Sequence, residues 1–134
     1  MKKLNNKGQS LVEFIIILPM VLMLIFVVMS FGILIYDRII VVYASSLSAE
    51  FGKEYLKNPT LTLEEKDQEM RRVAENYIQY LVFCKDEKVD IQYDEEKFAV
   101  DISATYTFIL PLLDEILNGA LDVPIKYKTT FRLR

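Results

Sequence analysis

Apolar residues in this chain come in two patterns, one unbroken block and then periodic stripes. From Phe14 to Tyr36, 23 residues pass without a formally charged side chain. An apolar helix of roughly 20 residues crosses the ~30 Å hydrocarbon core of a bilayer, so the block predicts a membrane-spanning helix. Beyond it Ile39, Ile40, Tyr43, Ala44, Leu47, Phe51, Tyr55 and Leu56 recur at three- and four-residue steps. Asp37, Arg38, Ser45, Ser46, Ser48, Lys53 and Glu54 fall elsewhere, which predicts an amphipathic continuation ended by Lys57-Asn58-Pro59. A single helix from Gln9 to Lys57 is about 73 Å long.

After Pro59 the pattern changes twice. Thr62-Leu63-Glu64-Glu65 reads as a capping box with Thr62 as N-cap. Met70, Val73, Ala74, Tyr77, Ile78, Leu81 and Val82 then mark one face of a second helix reaching Phe83, while Glu64, Lys66, Asp67, Arg71, Arg72, Glu75 and Asn76 form a solvated face. From Lys88 the period is two. Val89, Ile91 and Tyr93, then Phe98, Val100, Ile102, Ala104, Tyr106 and Phe108, predict a hairpin turning at Asp94-Glu95-Glu96-Lys97. Val123 to Leu133 supplies a third strand, and Pro111 to Gly119 reads as a short helix closed by its glycine. Gly52 is a small residue where another element approaches the first helix closely. The fold class is therefore α+β: a long N-terminal transmembrane helix continuing into a small extracytoplasmic head with a second helix and a three-stranded antiparallel sheet. The expected division is 1–8, 9–57 and 58–134.

Magnitudes favour insertion. Sixteen Leu, Ile, Phe or Val residues lie between Phe14 and Tyr36. At about −0.3 to −0.6 kcal/mol each they sum to roughly −5 to −10 kcal/mol, against about +3 for one acid at a helix centre. Glu13 stands at the mouth of the block, where its penalty is smaller. Lys2, Lys3 and Lys7 crowd the N-terminal side, and Asp37 and Arg38 offset each other on the other, so the positive-inside rule puts the N-terminus in the cytoplasm. Pro19 removes one backbone donor and crowds the Ile15 carbonyl, which predicts a kink that a transmembrane helix tolerates. A secretory signal cut after Val42-Tyr43-Ala44 fits less well, since the apolar block is longer than a signal's core.

Composition narrows the chemistry. With no His and one Cys, Cys84, the 134-residue chain has no internal disulfide, no Cys/His zinc site and no His-based acid-base catalysis. Cys84 follows Tyr80-Leu81-Val82-Phe83 and reads as a small buried hydrophobe. The clustered Asp94, Glu95 and Glu96 belong to a turn, and no Gly-rich phosphate loop is present. The expectation is no catalytic residue, no cofactor, no metal and no small-molecule substrate. Loss of Met1 to Gly8 takes three of 16 basic residues and leaves 13 against 19 acidic, a formal charge of −6 that argues against nucleic acid as partner.

The order Lys7-Gly8-Gln9-Ser10-Leu11-Val12-Glu13-Phe14, followed by Leu18-Pro19 and Phe31-Gly32, resembles the leader and anchor of type IV pilin-like proteins, and more narrowly the TadE-like family of tight adherence pilus systems. Ala49 to Tyr55 is similar to the stretch after the anchor in that family, with its usual basic residue replaced, and Arg132 or Arg134 to the family's terminal arginine. The resemblance implies a minor pilin or pseudopilin cut by a prepilin peptidase between Gly8 and Gln9. It implies Glu13 as an assembly residue, with other pilin-like subunits and a pilus assembly platform as partners beside the membrane. In a bundle of such helices Glu13 can pair with the freed Gln9 amine of a neighbour, so that neither charge lies alone in an apolar setting. The alternatives are an unprocessed single-pass protein whose outer domain binds a partner, and a type II secretion pseudopilin.

Overall fold

The computed structural model describes residues 6–94, 96–108 and 122–132. Its elements are α1 (Asn6–Leu56), α2 (Leu63–Ile78), β1 (Cys84–Tyr93), β2 (Lys97–Thr107) and β3 (Asp122–Arg132). The stretch read as a short helix, 111–119, lies outside the described residues. The three strands form one antiparallel sheet in the order β1-β2-β3.

Helix α1 begins three residues before Gln9 and runs 51 residues, about 76 Å, with Pro19 inside it and no break. Helix α2 starts as expected. The Glu65 N–H donates to Thr62 Oγ1 at 3.3 Å, and the Thr62 N–H donates back to Glu65 Oε2 at 2.8 Å. It ends at Ile78, short of Phe83. Tyr80 and Leu81 close turns on the Tyr77 and Ile78 carbonyls, and Phe83 adopts φ 56°, where its carbonyl accepts the Thr107 N–H at 3.1 Å. That bond swings the chain into β1 four residues before the strict alternation starts. An irregularity between Lys85 and Lys88, with Asp86 at φ 55°, hides the period there.

Helix α2 lies antiparallel to α1, as contacts at both ends and the middle require: Lys66 with Leu56, Met70 with Ser48, Tyr77 with Tyr43, and Val82 with Asp37. The sheet covers both helices with one face. Phe98, Val100, Ile102, Ala104 and Tyr106 of the central strand are all buried, with Ile91 and Ile125 from its neighbours.

The face by which α1 enters this core differs from the expected one. Its buried residues there are Asp37, Val41, Ala44, Ser45, Ser48, Ala49 and Gly52, a stripe of small and polar residues, whereas Ile39, Tyr43 and Phe51 are exposed. Hydrophobicity alone selects the wrong stripe. Small side chains win because they let a second helix and a sheet approach the α1 backbone closely. A Cβ added to Gly52 would collide with Met70 Sδ and lie 3.1 Å from the Phe98 ring. Lys66 also leaves the expected solvated face, while Arg71 stays part-exposed and reaches the sheet. Lys66 is buried with Nζ 3.4 Å from the Leu56 carbonyl at the end of α1, and Arg71 Nη1 donates to the Val89 carbonyl at 2.6 Å.

Candidate functional site

Two regions of α1 carry the candidate chemistry. The first is its N-terminal arm. Gly8, Gln9 and Glu13 lie in the first turns, and among the described residues nothing beyond Gly8's own stretch of helix stands within 4 Å of a Cβ built on it. Gln9 Nε2 donates to Glu13 Oε1 at 3.4 Å, and Ser10 Oγ donates to the Asn6 carbonyl at 3.1 Å. Both are contacts within one helix, and Glu13 and Gln9 are exposed. From Leu11 through Met29 the large apolar side chains point outward, with Leu11, Phe14, Ile16, Met20, Leu24 and Val28 among the most exposed. The most apolar window of α1 is not buried at all. A core helix of a soluble protein would be covered by its own chain. Among the described residues nothing covers this arm.

The second region is the junction where the head grips the helix, and here polar groups make the connections. Tyr106 OH donates to the Ser30 carbonyl at 2.8 Å. Asp37 is fully buried. Its Oδ1 accepts the Val82 N–H at 2.9 Å and its Oδ2 accepts the Cys84 thiol at 3.3 Å. Ser45 Oγ donates to the Val100 carbonyl at 3.0 Å and lies 2.8 Å from Thr129 Oγ1, and Ser48 Oγ donates to the Met70 carbonyl at 2.7 Å. Each bond satisfies a buried group that would otherwise cost about 1–3 kcal/mol.

Cys84 is half-buried and acts as a hydrogen-bond donor, where the sequence pattern predicts a plain hydrophobe. Burial first, then the bond to and charge of Asp37, push its thiol from an ordinary value near 9 up to about 12. It is a poor nucleophile there. The burial of Asp37 runs against its signature in the sequence, because an acid beside a base after an apolar block marks a membrane boundary. Only the Asp37, Val41, Ala44, Ser48 spacing, one residue per turn, marks it as part of an inward stripe. Among the described residues no group of three or more His, Cys, Asp or Glu side chains is placed to hold a metal ion.

Along α1 a shallow groove lies between Ile35, Ile39, Val42 and Tyr43, with Arg38 and Ser46 at its rim. It begins where the apolar block ends.

Among the described residues one helix is long and apolar enough to cross a membrane. It carries a small α+β head on its C-terminal half, an arrangement that suggests a single-pass membrane protein. Residues 8–50, from Gly8 through the apolar block and most of the junction, match the family model described as TadE-like protein, and over that stretch the chain is similar to that family. No curated protein and no solved structure matches the chain.

Proposed function

We propose that this chain is a TadE-like minor pilin or pseudopilin, a structural rather than catalytic component in assembly of a tight adherence pilus or a related secretion machine. The observation that carries the reading is the coincidence of the matched stretch, which opens at Gly8, with an arm of α1 that the head leaves bare. On this reading a prepilin peptidase cuts between Gly8 and Gln9. The helix termini are where backbone opens most readily, and Gly8 sits in the first turn of α1 with no side chain of the described residues packed on it. The product keeps its N-terminus on the cytoplasmic side, its span in the membrane and its head outside.

Cleavage creates an α-amine on Gln9. Within one chain Glu13 reaches the Gln9 side chain, so the amine of a neighbouring subunit is the partner that neutralises it in a bundle of apolar helices. The groove beside Ile35 and Ile39 continues the bare arm past the membrane and gives a neighbouring pilin-like helix a second row to pack against. Other pilin-like subunits and the assembly platform are therefore the partners.

Glu13→Leu tests the assembly role. The variant should insert into the membrane as the native chain does and lose most of its co-purification with partner pilins. Co-purification at the native level would overturn the role assigned to Glu13.

A further inference from the structure

We infer that the base of the head is itself a membrane-binding surface, resting in the lipid interface instead of standing clear of it on a stalk. The inference rests on the membrane anchoring in the reading above and on no other part of it.

The positions of the head's contacts along α1 lead to it. Among the described residues the first are with Ser30, through Tyr106 OH, and with Phe31, whose ring meets Phe108 edge-on at 5.3 Å. Both contacts lie inside the uncharged block, which runs on to Tyr36. A hydrocarbon core of ~30 Å takes up about 20 helical residues, so a span starting at Phe14, directly after Glu13, ends near Ile33. The lowest described part of the head then meets the level where acyl chains give way to headgroups. To lift it clear, the span would have to start near Ser10 and draw the Glu13 carboxylate into hydrocarbon.

What the head presents at that level is suited to the place. The antiparallel course of α2 delivers the loop after it to the bottom of the head, where the Val82 N–H is held by Asp37. On this loop Tyr80 is 56% exposed, Val82 36% and Phe83 53%, and Phe31 on α1 is 53% exposed. The Asp37–Val82 bond and the Phe83–Thr107 bond fix the loop's backbone at Val82 and Phe83. Aromatic residues partition to the membrane–water boundary, where a ring is buried and a hydroxyl stays wet. The occupant of this apolar base is therefore lipid, since the surface is continuous with the span that lipid already covers.

The chain contains no Trp, so single reporters can be introduced. Phe83→Trp, Tyr80→Trp, Phe26→Trp in the span and Tyr93→Trp at the far end of the head would each be reconstituted, as the full chain, into phosphatidylcholine vesicles with and without bromine near the glycerol end of the acyl chains. The expected result is that brominated lipid lowers the emission of F83W and Y80W by about twofold or more, as at an interfacial aromatic belt, and leaves Y93W unchanged. Quenching of F83W and Y80W no greater than that of Y93W, with F26W quenched, would overturn the inference and leave the anchor standing. Loss of quenching in F26W as well would overturn the anchor and the docking together.

Discussion

Residue by residue, the junction depends on polar groups that would each be ordinary on a surface. Asp37 takes the Val82 N–H and the Cys84 thiol at once. Asp37→Leu keeps comparable volume and removes both acceptors, and should lower the stability of the chain in detergent by about 2 kcal/mol, measured by chemical unfolding. Ser45→Ala should cost about 1 kcal/mol by the same measurement. The thiol offers an independent check. With its pKa raised to about 12, Cys84 is almost wholly protonated at pH values near 8. Alkylation by iodoacetamide should therefore run at least ~10² times slower in the folded chain than in the unfolded one. The sign follows from linkage: a thiol whose folded pKa is raised contributes stability fully below its unfolded value near 9, and loses it as pH rises toward 12. Asp37→Asn removes the negative charge beside the sulfur and should speed alkylation while keeping an oxygen for Val82.

Among the elements, those legible in the residues are the ones whose signals are local in sequence. The span shows itself because no charge interrupts Phe14 to Tyr36. Helix α2 starts where Thr62 and Glu65 say it should, since a capping box is complete within four residues. Thr62→Ala should cost about 1 kcal/mol, seen as a lower unfolding midpoint. The alternation from Val89 to Phe108 marks the hairpin because strand period is also local. The packed face of α1 is not legible in this way. Hydrophobicity points to Ile39, Tyr43 and Phe51, yet these remain outside, while Ser45, Ser48 and Asp37 go in. An anchored helix has two apolar environments to satisfy, its own head and whatever surrounds it, and a pattern of apolar residues does not say which is which. Small residues are the better guide. Gly52, expected at a close approach, is at one against Met70 and Phe98. Gly52→Val should therefore destabilise the head by about 1–3 kcal/mol through overpacking. The end of α2 escapes sequence reading because its stop signal is tertiary, a carboxylate 45 residues earlier that captures the Val82 N–H.

In the molecule as a whole, head and anchor are parts of one object. The helix that spans is the helix on which the head is built, so a force or displacement on one is felt by the other without a hinge between them. This suits the proposed subunit, which must be drawn from a membrane into an assembly, and on that proposal the bare N-terminal arm is the surface that neighbours use. On the proposed reading, that use of the arm begins with cleavage after Gly8. Mass spectrometry of the intact chain, expressed together with its prepilin peptidase, should find a product whose first residue is Gln9. A chain that keeps Met1 to Gly8 in the presence of active peptidase would show that the arm is a plain anchor.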